Sequence, residues 1–235
     1  MNTNKVEQVA KALTGLIKPG KKDVLSRFFK TDPGHYGHGD VFIGVMVPQQ
    51  RQVAKQFKDL PLVEIAKLLA SPIHEYRLTA LLILVEQFVV ADDPQKAKIV
   101  KFYLARTPRI NNWDLVDLSA PKILGAWLLD KDRKILDKLV KSKNIWERRI
   151  AVVSTFAFIK AGETKDTWRL AKILLRDSHD LMHKATGWML REAGKRDPES
   201  LKKFLSEHGA KMPRTMLRYS IEKFNAIERK KYLKI

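Results

Sequence analysis

The sequence predicts an all-α fold. Apolar residues recur at helical spacing along most of its 235 residues. Lys, Leu and Ala are the commonest residues, and strand-like alternation is scarce. Many of the glycines and prolines fall between the periodic blocks. A chain of this length buries roughly 70% of its unfolded surface, so one domain over residues 1–235 needs no covalent staple.

The blocks follow in order. MNTNKVEQVAKALTGLIKPGKK has neither an apolar run of signal-peptide length nor a small-residue cleavage site, and its periodic part stops at Pro19-Gly20. The stretch GHYGHGD (34–40) after Pro33 holds His35, His38 and Asp40. It lacks the spacing of a zinc site or a phosphate-binding loop, so it reads as a flexible connection. Pro48, Pro61 and Pro72 separate the next blocks. The longest apolar run, Leu78 to Val90, is interrupted by Thr79, Glu86 and Gln87 and reads as a core helix, not a membrane span. Asp92-Asp93 before Pro94 is a turn and cap. Asn111 or Asn112 caps the helix of INNWDLVDLSAP (110–121), and Asp114 sits in its first turn near the positive dipole end. Pro121 has no N–H for the carbonyl of Asp117, so either the turn loosens at the acid or the helix stops and restarts. Gly162, Gly194 and Pro198 mark the last breaks. Trp127, Trp146 and Trp168 are assigned to packing, His179 and His183 to the surface, and the basic end ERKKYLKI to a frayed helix.

Four segments resemble one another: HEYRLTALLIL from His74, DLVDLSAPKIL from Asp114, WERRIAVVSTF from Trp146 and LMHKATGWMLR from Leu181. Matching them sets Arg77, Asp117, Arg149 and Lys184 in one row, at spacings of 40, 32 and 35 residues. Such periods mark solenoids of HEAT-like antiparallel helix pairs, and a curved array would present the row on a basic concave face. Asp117 is the one acid in that row. Trp113, four residues earlier, shares its helix face, as Trp188 shares that of Lys184.

The charge balance points to a polyanion. Lys+Arg number 45 against 26 Asp+Glu, a formal net charge of +19, so nucleic acid is the first candidate partner. The absence of cysteine excludes disulfides, thiolate metal sites and a Cys nucleophile, and fits a reducing cytoplasm, with nucleoid association in a bacterium. No metal or other cofactor and no membrane association are expected, and a monomer is the default.

At these residues the sequence resembles the AlkD-type DNA alkylation repair glycosylases. The likeness rests on NNWDLVD (111–117), NIWERRIA (144–151), HKATGWMLREAGK (183–195) and, near the start, FIGVMVPQQR (42–51). The resemblance implies hydrolysis of the N-glycosidic bond of N3- or N7-alkylated purines in double-stranded DNA. It carries the catalytic aspartate onto Asp117, the two tryptophans onto Trp113 and Trp188, and the arginine onto Arg149, which would hold a lesion-strand phosphate and keep Asp117 ionised. Further phosphate contacts are expected from Arg148, Lys184, Arg51, Arg214 and Arg218. The chain departs from the pattern at Asn112, where members often carry an aromatic residue, and at Met46, polar in some relatives. The first departure would change the grip on the sugar. Two other classes compete: a non-catalytic relative that binds distorted or branched DNA, and a helical scaffold for an acidic protein.

Overall fold

The computed structural model describes residues 5–234 and is all-α, with fourteen α-helices and no β-strand among them. Met1–Asn4, where the segment read for a targeting signal begins, and Ile235, the last residue of the basic end, lie outside the described residues. No described helix is long and apolar enough to cross a membrane. The chain divides after Ser119 into two compact units.

The first unit holds α1 (Lys5–Thr14), α2 (Lys21–Phe28), α3 (Val47–Gln56), α4 (Leu62–Leu69), α5 (His74–Val90), α6 (Asp93–Leu104) and α7 (Trp113–Ser119). Its centre is α5, against which α3, α4, α6 and α7 pack. A helix that is apolar nearly all round has to be enclosed. Accordingly, Leu78 through Val85 are all buried. The turn at Asp92 is a true cap, since its carboxylate accepts from the Gln95 amide at 2.9 Å.

The second unit opens with a π-helical turn (Pro121–Gly125) in which the Gly125 amide donates to the Ala120 carbonyl at 2.9 Å, one residue wider than an α-turn. The backbone thus loosens beyond the acid, with α7 ending at Ser119 and the widened turn spanning Ala120 to Gly125. There follow α8 (Lys134–Leu139), α9 (Ile145–Lys160), α10 (Lys165–Leu174), α11 (Asp180–Arg196), α12 (Pro198–His208), α13 (Arg214–Ser220) and α14 (Ala226–Leu233). α11 is the hub, packed by α9, α10, α12 and α13. Leu190, Leu201, Leu205, Met216 and Leu217 form part of its core.

Two expectations fail. GHYGHGD is no simple flexible connection, because it delivers the Asp40 carboxylate to a buried network described below. The basic end is not merely frayed: Tyr232 of α14 is buried in the second unit's core and its ring lies 5.6 Å from that of Phe224.

Gly187 sets the approach of α11 to α13. A Cβ there would stand 2.6 Å from the Met216 carbonyl oxygen and 2.6 Å from the Tyr219 Cβ. Backbone cannot step aside as a flexible side chain does, so a methyl group forces the helices apart. Gly187→Ala is expected to destabilise by about 1–3 kcal/mol and to lower the melting temperature by at least about 2 °C. An unchanged melt would show that the helices are less closely set.

Candidate functional site

The candidate site begins at the start of α7. Asn112 caps it: its Oδ1 accepts from the Trp113 amide at 2.8 Å, and its carbonyl accepts from Val116 N–H. Trp113 and Asp117, four residues apart and both half-buried, share one face of this short helix.

Beneath α7 lies a buried charge network. Asp114 is not simply a first-turn dipole partner. One of its carboxylate oxygens takes the Leu115 amide at 2.9 Å, and the other lies 2.8 Å from Nε2 of His74. Nδ1 of the same imidazole lies 2.9 Å from Asp40 Oδ2. Asp40 also accepts from Arg77 Nη2 at 2.5 Å and from Asn112 Nδ2 at 2.9 Å. These side chains are almost wholly buried, with Arg77 only 2% exposed. Burial by itself pushes the His74 imidazolium down, but the Asp114 and Asp40 carboxylates outweigh it and hold its pKa at about 9. Burial likewise favours the neutral acid at Asp40, and the His74 hydrogen bond and Arg77 charge overturn that preference, leaving its pKa below the ordinary value.

Aromatic rings join the same two points. The His74 ring stacks on Phe42 at 4.5 Å, Phe42 on Phe29 at 4.9 Å, and Phe29 on Trp113 at 5.1 Å. Phe28, 61% exposed, meets Trp113 edge-on at 5.8 Å. Behind the helix, Tyr103 lies 3.0 Å from the Ser119 hydroxyl. Burial and the nearby Asp117 charge raise its phenol pKa well above the ordinary value. The loop before α3 is held by Glu75, whose carboxylate accepts from the amides of Ile43, Gly44 and Val45 at 2.8–3.2 Å. Gly44 sits there at φ 97°, a conformation glycine adopts freely. Met46 is the extended N-cap residue of α3.

In the second unit, Arg149 of α9 is buried and donates from Nη1 to the Leu181 carbonyl of α11 at 2.7 Å. Trp188 of α11 is half-buried, with its ring 5.7 Å from Phe156 of α9. Lys184 pairs with Asp180 at 2.8 Å. Arg148 is bound by Asp177, with Nε to Oδ2 at 2.6 Å, and by the carbonyls of Ser142 and Lys143. Arg214 donates to the Leu233 carbonyl at 2.7 Å. Arg218 is exposed on α13, and in the first unit Arg51 is half-buried on α3. Trp146 is buried and Trp168 packs on Phe204, as expected, and half-buried Trp127 carries Lys131 over its ring at 5.1 Å. His179 is not idle surface: it caps α11 through the Leu181 amide, and His183 bonds the Asp177 carbonyl.

Helix starts correct the repeat register. The N-cap carbonyls of Ile73, Asn112, Asn144 and His179 accept from Arg77, Val116, Arg148 and His183 respectively. Arg77 therefore corresponds to Arg148, not to Arg149, and both turn back on the two carbonyls at the preceding bend. Leu78, Asp117, Arg149 and Lys184 are the residues in step. Arg77 is a buried partner of Asp40 and leaves the expected phosphate row. Asn112, fully buried, has no grip on a sugar, and its departure from the family pattern is structural.

Sequence reasoning missed Asp40, His74 and Asp114 as a unit. One signal was available: His74 and Arg77 continue the core stripe of Leu78 and Leu81 at the i, i+3, i+4, i+7 positions, where an ionisable group needs a partner.

The raised His74 pKa links stability to pH. Its contribution is complete below about pH 6.5 and is lost as pH rises through about 9. A displacement of this size corresponds to roughly 3 kcal/mol. Thermal melts of the wild type should fall between pH 6 and 10, and His74→Gln should flatten that fall. Equal slopes in both proteins would place the ionisation elsewhere.

The DNA alkylation repair enzyme family model matches residues 9–224. Among solved structures, the chain is similar to one described as "Predicted DNA alkylation repair enzyme from Enterococcus faecalis", at 18% identity and a TM-score of 0.70, covering 89% of this chain and 97% of that one. That likeness establishes a shared fold. No curated protein matches the chain. With the family model matched over nearly the whole length, the chain belongs to the DNA alkylation repair enzyme family.

Proposed function

We propose that the protein is a monofunctional DNA glycosylase, working as a monomer on cationic N3- or N7-alkylated purines in double-stranded DNA. The observation that carries this reading is Asp117, a half-buried carboxylate one turn from Trp113 on a helix whose start is anchored by buried charges.

An alkylated purine already carries positive charge, so it leaves readily as the neutral base. When the C1′–N bond breaks, its electron pair goes to the purine and the sugar gains oxocarbenium character. Asp117 stabilises that charge and orients a water molecule. The water oxygen bonds to C1′, and its proton passes to the carboxylate and then to solvent. Trp113 packs against the deoxyribose. Trp188 is assigned to the cationic nucleotide, where a cation over an indole face contributes about 0.5–2 kcal/mol. Arg149, with Nη1 on the Leu181 carbonyl, is assigned to a lesion-strand phosphate. Exposed Arg218, together with Arg51 and Lys184, is assigned to the flanking backbone. Arg148 and Arg214 are assigned to the same backbone, each holding a protein partner as Lys184 does. The net charge of +19 makes affinity mainly electrostatic.

Incubation with a duplex containing N7-methylguanine tests the reading. Wild type is expected to release free base, and Asp117→Asn to lower the single-turnover rate by about a hundredfold or more while duplex affinity stays within about threefold. Equal rates would remove Asp117 from the chemistry. Tight, salt-sensitive duplex binding without release of any alkylpurine would favour a non-catalytic DNA binder. Duplex affinity should also fall linearly with salt on logarithmic axes; a flat salt response would point to an acidic protein partner instead.

A further inference from the structure

The His74 imidazole lies within hydrogen-bonding distance of a carboxylate at both nitrogens, Nδ1 to Asp40 at 2.9 Å and Nε2 to Asp114 at 2.8 Å. A neutral imidazole has one N–H and can donate to only one of them; donating to both requires the imidazolium. We propose that His74, acting as a buried imidazolium, is a positioning residue for α7 that sets the orientation of the Trp113 indole and hence of the face that carries Asp117. The inference rests on the reading of α7 as the catalytic helix.

Two independent routes run from His74 to Trp113. Through hydrogen bonds, Nε2 fixes Asp114, the residue next to Trp113, while Asp40 on the other nitrogen also holds the Asn112 cap. Through packing, the ring stack passes from His74 to Phe42 to Phe29 to Trp113 with centroids 4.5–5.1 Å apart. A ring held at both nitrogens cannot rotate, so the bottom of the stack is fixed and the indole at its top inherits that orientation. Buried ion pairs stabilise folds weakly once desolvation is counted, and a hydrophobic set of equal volume serves stability as well. What they supply here is direction.

The charged groups facing the ring are few. Asp40 comes from the loop after α2, Asp114 from α7, and Arg77 from its own helix by way of Asp40. Glu75, the next residue on α5, turns its carboxylate to the amides of Ile43, Gly44 and Val45. Loss of the His74 proton leaves two carboxylates competing for one N–H. The carboxylate left without it faces an imidazole lone pair, and because Asp114 lies in the first turn of α7 and Asp40 holds its Asn112 cap, losing either bond removes a tether from the start of α7.

The test follows the Trp113 indole N–H by nuclear magnetic resonance in the free protein, with its signal assigned through Trp113→Phe. In the wild type the signal should shift between pH 7 and 10.5 with a midpoint about 9. Trp146 and Trp168, packed in the second unit, should not follow it. His74→Gln should abolish the titration. Asp114→Asn, which keeps the shape and removes one carboxylate, should move the midpoint down by at least about one pH unit, and it serves as the reporter if His74→Gln folds poorly. With N7-methylguanine duplex, the wild-type single-turnover rate should decline with the same midpoint while the Kd stays constant below it. A Trp113 signal that is flat over this range, or a midpoint unmoved in both variants, overturns the proposal. Should the wild type release no base, the glycosylase reading fails, and the indole titration still decides whether His74 positions α7.

Discussion

The constraint on which the first unit depends is a proton held between two carboxylates in its interior. Asp40, His74 and Asp114 are brought from three distant parts of the chain, and Arg77 completes the set, so that two cations answer two anions. None of these groups could be buried alone, because an unpaired ion in a medium of low polarity is too costly to retain. The pairing therefore dictates geometry. The glycine-rich loop must return to the start of α5, and α7 must begin where Asp114 can reach Nε2. Glu75 adds a second anchor one residue on, gathering three consecutive amides of the segment that leads into α3. The start of α5 thereby organises the loop, α3 and α7 together.

A related grammar appears at the start of the three longest helices, α5, α9 and α11. A side chain at the bend accepts an amide two residues ahead: Ser71 from Ile73, Ser142 from Asn144, Asp177 from His179. A donor one turn into the helix then closes on the carbonyls of that bend, Arg77 and Arg148 through guanidinium groups and His183 through an imidazole. These groups satisfy carbonyl acceptors at the bend, and the Pro72 carbonyl takes the Val41 amide as well. The next residue in each helix lies about 100° further round and takes no part in the closure. Those next residues are Leu78, Arg149 and Lys184, with Asp117 at the same step in α7. The repeat thus distinguishes two positions: one fixes the bend, and the following one is directed to a different side of the helix.

Much of the secondary structure was legible because it depends on neighbours in sequence. The apolar run before Val90, the Asp92 cap, the Asn112 cap and the disturbance at Pro121 all follow from local rules and all occur. Trp113 and Asp117 share a face for the same reason. What could not be read was pairing across the fold. Asp40 in a glycine-rich stretch looks solvated until His74 and Arg77 are placed beside it, and Asp114 in a first turn has an adequate local explanation that hides its real partner. Arg77 illustrates the cost of a register error of one residue: side chains one position apart on a helix face different directions, so an arginine that closes the bend was matched to positions one step further on. Tyr232 near the chain's end failed similarly, since its burial depends on a core assembled by other helices.

Asp117, the one acid among the corresponding helix positions, has an electrostatic rationale. A net charge of +19 attracts polyanions, and the same positive field would oppose the growth of positive charge on a bound sugar. On the reading of Asp117 as the charge set against that sugar, one carboxylate offsets the field where it matters without weakening long-range attraction. At a separation of about 4 Å and an effective dielectric constant near 20, a unit pair is worth about 4 kcal/mol, equivalent to roughly three orders of magnitude in rate. That benefit falls steeply if the carboxylate drifts, because the separation lengthens and water intervenes. A catalytic contribution of this kind demands a helix start that does not move, and the buried ions around His74 provide one at a position where apolar packing alone would fix the volume but not the direction.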